Sequence, residues 1–232
     1  MTPHSAIVTG AGRGFGRALT TALAHPDRTV VACGRDPARL RAATDGLPGV
    51  VALAGDVTDP RFRAELVAAA GERLDLLVHN AGELGPSPLP ALHAYPLDAL
   101  RAVLETTVLA PLALTQLALP ALRANRGTVV TLSSDAAVEA YPGWGGYGSA
   151  KAALDQLAAV LGAEEPELGV YAFDPGDMRT EMHQRAFPGE DISDRPEPEA
   201  VVPALLRLLA EHPGSGRYRA ADLADQTVGE PA

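Results

Sequence analysis

Short, almost uninterrupted apolar segments alternate with longer segments of helical periodicity along nearly the entire chain. A strand that is apolar throughout must be covered on both faces, which is typical of parallel sheets flanked by helices. The alternation therefore predicts an α/β fold with a doubly wound parallel sheet, whose ligand site lies at the carboxyl ends of the strands. Strands are predicted at residues 6–9, 29–33, 50–53, 74–79, 128–133 and 169–173, with a short edge strand at 217–220. Helices are predicted at residues 14–24, 37–44, 61–71, 97–125, 146–162 and 199–211.

One domain is expected over residues 1–232. Apolar residues make up 47% of the sequence, which is enough to fill a packed core in a domain of this size. Residues 177–198 are rich in proline, glycine and acidic residues, and this stretch is too long for a plain connection. We therefore predict that it forms a substrate lid or binding loop.

The net charge of −10 limits the partners that the chain can bind. An acidic surface repels nucleic-acid backbones and anionic lipids, so no nucleic-acid or membrane partner is expected. The longest uncharged apolar stretch, residues 106–122, contains two prolines and is short for a transmembrane segment, so a buried or interface helix is predicted. The first residues lack the pattern of a secretory signal, and a cytoplasmic location is expected.

Cysteine and histidine usage argues against disulfide and metal chemistry. The single cysteine, Cys33, lies in an apolar run and is expected to be a buried, inert thiol. His79, His93 and His183 are not spaced as metal ligands, so no metal is expected.

A glycine-rich turn joins the first predicted strand to the first predicted helix. Such a turn lets backbone N–H groups approach a pyrophosphate beside the positive end of a helix dipole. A structural turn between strand and helix is the alternative, but the position near the start of the pattern favours a dinucleotide site. The residues assigned to this site are Gly10, Gly12, Arg13, Gly14, Phe15 and Gly16.

The residues after the second predicted strand indicate which dinucleotide binds. An NAD site would place a carboxylate on the ribose, about twenty residues beyond the glycines. This chain has Gly34 followed by Arg35, which leaves room for a 2′-phosphate and supplies a guanidinium to bind it. Arg13 can reach the same phosphate, and Asp36 is interpreted as the N-cap of the next helix. The prediction is therefore NADP.

Two further segments at strand ends are assigned to the cofactor. Asp56 and Val57 follow the third strand, where the carboxylate either accepts from the adenine amino group or caps a turn. Asn80, Ala81 and Gly82 end the fourth strand, where the backbone meets the ligand crevice.

Tyr147 and Lys151 are spaced i, i+4 on the helix after the fifth strand, and Lys151 is the only lysine in the chain. A cation on that helix face is expected to lower the pKa of the phenol, which gives an acid–base group near neutral pH. Ser134, at the end of the fifth strand, can hydrogen-bond a substrate carbonyl oxygen. Ser133 is its competitor, and strand alternation allows only one of the two to face the site.

Taken together, these motifs resemble the short-chain dehydrogenase/reductase family over nearly the whole chain. The resemblance implies a Rossmann-type fold with about seven strands, and an NADP-preferring ketoreductase that acts on a small carbonyl substrate. It also implies a homodimer or homotetramer built on the apolar helix. Tyr147 would be the proton donor, Lys151 would hold the nicotinamide ribose and Ser134 would orient the carbonyl. The segment that receives the nicotinamide carboxamide would comprise Pro175, Gly176 and Thr180.

One position departs from the family's pattern. Where the family usually has a catalytic asparagine that holds a water next to the lysine, alignment puts Thr107 in this chain. This leaves two alternatives to a ketoreductase: an NADP-binding protein with non-redox cyclase or isomerase activity, and a non-catalytic dinucleotide sensor. The side chains expected to line an apolar substrate pocket are Leu84, Val138, Tyr141, Trp144, Met178, Met182 and Phe187.

Overall fold

The apolar runs pair into one parallel sheet in a computed structural model, which describes residues 3–224. Within these residues the sheet has seven strands in the order β3-β2-β1-β4-β5-β6-β7, so the predicted doubly wound α/β fold is confirmed. The strands are β1 Ser5–Val8, β2 Thr29–Gly34, β3 Val50–Ala54, β4 Leu76–His79, β5 Thr128–Leu132, β6 Gly169–Asp174 and β7 Gly216–Arg219. The helices are α1 Gly14–Leu23, α2 Pro37–Thr44, α3 Pro60–Ala70, α4 Leu97–Leu104, α5 Ala110–Asn125, α6 Gly145–Glu164, α7 Glu181–Ala186, α8 Pro198–Glu211 and α9 Ala220–Ala224.

Alternate residues of the strands feed two separate cores. On β1, Ala6 and Val8 pack with α1, α2, α8 and α9 on one face of the sheet. Ile7 packs with α3, α5 and α6 on the other face. Helices on both faces explain why the strands are apolar without a polar face. Cys33 is buried within the second core, as predicted, and burial raises the pKa of its thiol to about 12.

The strand order reverses at β1, which pairs with β2 on one side and β4 on the other. In an open parallel sheet this reversal leaves a crevice at the carboxyl ends of the strands, where ligands bind. The fold therefore places the turn after β1 and the segment after β4 at one site.

The predicted helix at residues 97–125 is helical throughout but contains a π-helical turn at Glu105–Leu109. The Ala110 N–H donates to the Glu105 carbonyl, five residues back. The cause is Pro111, which has no N–H and whose ring would clash with the Thr107 carbonyl in a regular α-helix. The helical path Leu97–Asn125 is long and apolar enough to cross a membrane. However, Leu114, Ala118 and Leu122 lie in the core. This is expected of a core helix in a soluble fold.

Two other segments differ from the sequence prediction. The strand expected at residues 74–79 begins at Leu76, and the carboxylate of the preceding residue, Asp75, accepts hydrogen bonds from the backbone N–H groups of His4 and Ser5. The stretch 177–198 is not wholly irregular, since it contains α7. Thr180 caps this helix by accepting from the His183 N–H at 3.1 Å.

Candidate active site

A cleft of about 400 Å³ lies at the carboxyl ends of β1, β2 and β4. It brings together most of the residues that the sequence assigned to a dinucleotide, although they come from five different segments. Its lining includes Gly10, Gly12, Arg13, Gly14, Phe15, Arg35, Asp56, Val57, Asn80, Ala81, Gly82 and Thr180. Gly16, Pro175 and Gly176 are not part of this lining.

Asn80 holds the glycine turn in place. Its side-chain nitrogen donates to the carbonyls of Thr9 at 2.9 Å and Gly10 at 3.1 Å. Gly10 adopts φ +69°, and a Cβ on Gly16 would lie 2.4 Å from the Gly10 carbonyl oxygen. Glycine is therefore required at Gly16 so that α1 can start directly against the turn.

The first turn of α1 suits a pyrophosphate. Arg13 is the N-cap residue, and its side chain makes no capping hydrogen bond. The first turn also contains no acidic side chain. The N-terminal N–H groups of this helix therefore have no side-chain acceptor, and the positive end of the helix dipole faces an anion site. A dinucleotide fits the residues present.

Three guanidinium groups line the cleft near the end of β2, those of Arg13, Arg35 and Arg39. Asp36, as predicted, serves α2, where its carboxylate accepts from the N–H groups of Ala38 at 3.0 Å and Arg39 at 3.1 Å. The end of β2 is therefore basic, with its carboxylate engaged as a helix cap.

Arg39 was missed by the sequence reasoning. It lies in the first turn of α2, where a cation is unfavourable beside the positive end of the helix dipole. That unfavourable position is the signal that could have identified it as a ligand-binding residue.

Asp56 takes part in a turn, where one carboxylate oxygen accepts from both the N–H and the hydroxyl of Thr58 at 2.9 Å. Both alternatives for this residue are therefore compatible with the structure, because the carboxylate makes the turn and also lines the cleft.

Tyr147, on the first turns of α6, lines a smaller pocket of about 110 Å³ together with Ser134. The Ser134 hydroxyl donates to the Asp135 carboxylate at 2.9 Å and lies in the same pocket as the Tyr147 phenol. Ser133, which also belongs to the lining of this pocket, instead donates to Asp155 at 2.6 Å. The two serines therefore face different partners, and Ser134 is the one beside Tyr147.

Lys151 is buried beneath Tyr147. Its Nζ donates to the Leu132 carbonyl and lies 5.5 Å from the centre of the Tyr147 ring. Burial lowers the pKa of Lys151 to about 8, and the negative charges of Asp155 and Asp174 oppose this shift.

The expectation that Lys151 lowers the pKa of the Tyr147 phenol is wrong for this arrangement. Burial raises that pKa above its ordinary value of 10, and the nearby Ser134 hydroxyl only partly offsets the effect. The reason is geometric, since Lys151 Nζ is directed at the Leu132 carbonyl and lies over the ring face rather than at the hydroxyl.

A buried ion-pair network, which the sequence did not reveal, supports the catalytic segment. Arg217 on β7 donates to Asp174 at 2.8 Å, to Asp155 at 3.2 Å and to the Ser134 carbonyl at 3.0 Å. The other Asp174 oxygen accepts from the Gly176 N–H at 3.0 Å. One arginine thus ties together the ends of β5, β6 and β7.

Thr107 is fully buried within the π-helical turn. A Cβ on Gly82 would lie 3.9 Å from Lys151 Nζ and 4.0 Å from Thr107 Oγ1. Both polar groups therefore approach Gly82, at the boundary between the cofactor cleft and the catalytic helix.

The smaller pocket contains four of the side chains expected to line it, Leu84, Trp144, Met178 and Met182. Val138 and Tyr141 are wrong as lining residues, because they are 61% and 44% exposed. Phe187 is also absent from the lining and packs against Trp144 instead. The pocket also contains polar groups that were not foreseen, those of Asp135, Asp177 and His183. It includes three residues that the sequence assigned to the cofactor, Pro175, Gly176 and Thr180.

His79 and His93, the other two histidines considered as metal ligands, lie apart from this pocket. His79 is buried, with its Nε2 2.8 Å from the Thr115 hydroxyl, and burial lowers its pKa to about 3. His93 is exposed. Among residues 3–224 there is no group of three side chains that could hold a metal ion.

The fold and the two adjoining pockets define a nicotinamide dinucleotide-dependent oxidoreductase. Residues 4–191 match the family model for short chain dehydrogenase. The chain therefore belongs to the short-chain dehydrogenase family.

Relatives and solved structures agree with this assignment. The chain is 36% identical over 199 residues to sepiapterin reductase of Meriones unguiculatus, covering 78% of this chain and 76% of that protein. It is 34% identical over 205 residues to L-fucose dehydrogenase of Bos taurus, covering 84% and 72% of the two chains. A short chain dehydrogenase from Shigella flexneri 2a, complexed with NADP, superposes with a TM-score of 0.81 at 28% identity, covering 93% and 96%.

Proposed function

We propose that this protein is an NADPH-dependent reductase of a small carbonyl compound with an apolar or aromatic body. The observation that carries the proposal is the placement of Ser134 and Tyr147 in one pocket that adjoins the dinucleotide cleft, with Lys151 buried 5.5 Å from the centre of the Tyr147 ring.

The preference for NADPH rests on the charges at the end of β2. Arg13, Arg35 and Arg39 line the cleft, and guanidinium groups bind phosphate in bidentate fashion. The Asp36 carboxylate is engaged by two N–H groups of α2, which leaves it poorly placed to accept from ribose hydroxyls. The structurally similar short chain dehydrogenase from Shigella flexneri 2a was solved in complex with NADP.

The catalytic residues have complementary roles in this proposal. The nicotinamide group, when bound, supplies the hydride. Ser134 donates a hydrogen bond to the substrate carbonyl oxygen, and Tyr147 gives its phenol proton to the same oxygen. Because burial raises the pKa of Tyr147, the phenol is protonated and ready to act as an acid at neutral pH.

Proton replacement follows from the residues around Gly82. After transfer, the Lys151 cation, 5.5 Å from the centre of the ring, attracts the phenolate, although this attraction does not outweigh the burial that raises the pKa of the phenol. Thr107 can both donate and accept, so its hydroxyl can hold a water beside Lys151 in place of the family's asparagine amide. The separation of both groups from Gly82 leaves space for that water.

The substrate pocket combines an apolar wall with a polar rim. Leu84, Trp144 and Met182 form the wall, and Asp177 and His183 belong to the rim. We further propose that residues 177–198 act as the substrate lid, since Met178, Thr180 and Met182 come from this segment. A cytoplasmic homodimer or homotetramer completes the proposal, in keeping with the soluble fold and the exposed leucines of α5.

Tyr147→Phe tests the proposal most directly, because it removes only the proton donor. NADPH oxidation, followed by absorbance with a series of aromatic and aliphatic ketones, should fall by at least about a hundredfold. NADPH binding, measured by fluorescence titration, should remain unchanged. Tyr218→Phe, which removes a phenol hydroxyl on β7, is the matched control and should retain full activity. Near-normal turnover by Tyr147→Phe would assign proton donation to another group.

A further inference from the structure

The Glu181 carboxylate bridges two of the arginines at the adenosine end of the cleft. Its two oxygens accept from Arg39 at 2.9 and 2.8 Å, and one of them also accepts from Arg13. All three side chains line the cleft, and each is about half exposed. This is therefore a carboxylate held in a basic site by two guanidinium groups.

Glu181 belongs to a different part of the fold from its partners. It begins α7 in the 177–198 segment, whereas Arg13 lies in the glycine turn and Arg39 on α2. Its neighbour Thr180 lies against the same turn, since a Cβ on Gly14 would be 3.5 Å from the Thr180 methyl group. The carboxylate thus fastens the proposed lid to the phosphate-binding side of the cleft.

The next residue along α7, Met182, lines both the dinucleotide cleft and the substrate pocket. A movement of Glu181 away from its arginines would therefore shift a wall shared by the two pockets.

We propose that Glu181 determines the affinity for the cofactor's 2′-phosphate by competing with it for Arg13 and Arg39. The inference rests on the proposed function, because it needs those arginines to bind that phosphate. A guanidinium N–H directed at a carboxylate cannot at the same time be directed at a phosphate. A phosphate that binds through the same N–H groups therefore displaces Glu181 and releases the start of α7.

Glu181→Gln tests this competition, because it keeps the shape of the side chain and removes its charge. The probes are adenosine 2′,5′-bisphosphate and adenosine 5′-monophosphate, titrated by calorimetry without substrate or turnover. The bisphosphate should bind the variant about two- to tenfold more tightly than the parent, as expected for the loss of two exposed ion pairs. The monophosphate, which lacks the 2′-phosphate, should bind both proteins equally.

Glu199→Gln is the matched control. Glu199 pairs with Arg17 at 2.9 Å, both about half exposed, and neither residue lines the cleft. This variant loses the same charge on the same side of α1, so it should bind both probes like the parent. In an Arg39→Gln background, Glu181→Gln should have a smaller effect on the affinity for the bisphosphate, because one of the two arginines for which Glu181 and the phosphate compete is already gone.

The outcomes separate this inference from the proposed function. If the parent binds the bisphosphate no more tightly than the monophosphate, the NADP preference falls and the inference with it. If the parent discriminates but Glu181→Gln leaves bisphosphate affinity unchanged or weaker, the inference alone is overturned. Equal tightening of both probes would also overturn it, because Glu181 would then act on the 5′-phosphate.

Discussion

Lys151 is the residue at which burial and charge oppose each other most directly. Burial lowers the pKa of its ammonium group to about 8, while Asp155 and Asp174 favour the cation. In the proposed mechanism the cation stabilises the Tyr147 phenolate, so the reductase needs Lys151 protonated. We therefore expect kcat/KM for reduction to be level below about pH 8 and to fall as Lys151 loses its proton above it.

Asp155→Asn should move that fall to lower pH. Removing a negative charge that favours the cation lowers the pKa of Lys151 further, so the active form is lost earlier as the pH rises. The pH dependence of kcat/KM measures this shift. Glu164→Gln, on the exposed side of the same helix, is the control and should leave the profile unmoved. A shift of the Asp155→Asn profile to higher pH would contradict the role assigned to Lys151.

Thr107 offers a second test of the proton path. Thr107→Val keeps the buried volume but removes the hydroxyl, so reduction should slow by about tenfold or more while NADPH affinity stays constant. Thr107→Ser keeps the hydroxyl and should stay close to the parent. Steady-state turnover of the two variants measures the difference. Unchanged turnover and pH profile in Thr107→Val would remove Thr107 from the relay.

Single residues differ in how far the sequence could identify them. Gly10, Tyr147 and Lys151 follow from local spacing, because a turn and a helix face are set within a few residues. Arg39 and Arg217 act through partners far away in the chain, such as Glu181 and Asp174. No spacing rule connects residues that only the folded sheet brings together.

Among the strands, β7 depends most visibly on one side chain. Arg217 joins it to Asp174 of β6, which is 4% exposed, and to Asp155 of α6, which is 14% exposed. Removing the guanidinium leaves two buried carboxylates without their cation, and this is far more costly than the loss of a surface ion pair.

Arg217→Leu should therefore lower the free energy of unfolding by about 3 kcal/mol. The midpoint of urea unfolding measures the loss. Arg219→Leu makes the same change at an exposed position of the same strand and should alter stability by less than about 0.5 kcal/mol. Equal losses in the two variants would mean that the network contributes nothing beyond a general charge effect.

Helices and strands with a continuous apolar pattern could be predicted from the sequence. Short or locally distorted elements could not. The strands and long helices agree with the sequence to within a few residues, because burial on both faces demands apolar runs. The π-helical turn arises from the missing N–H of Pro111, and α7 is a short helix inside a polar segment. Neither feature has a periodicity long enough to detect.

Exposed leucines mark one side of the α4–α5 path. Leu97, Leu109, Leu112 and Leu117 are between 38% and 65% exposed. The opposite side of α5 packs in the core, so these side chains face away from the domain. Such a patch on an otherwise acidic chain is typical of a surface that is covered by another copy.

Leu112→Glu combined with Leu117→Glu should convert the proposed oligomer into monomers, because each charge would be buried without a partner. The mass in solution at micromolar concentration, measured by light scattering, distinguishes the states. Val51→Glu adds the same charge at an exposed position of β3 and should leave the mass unaltered. A parent that is already monomeric would refute the oligomer.

The protein uses lysine and arginine in two different places: its single lysine is in the interior, and arginine supplies the cations of the surface. Of its 19 lysine and arginine residues, only Lys151 is a lysine, and it is buried beneath Tyr147. Apart from histidines, every exposed basic side chain is therefore a guanidinium, which common acylating reagents do not modify. The one side-chain primary amine can be acylated only when the catalytic centre opens to the reagent. In other proteins amine reagents modify many lysines without selection. In this protein the rate at which Lys151 is acylated measures the opening of a single interior position.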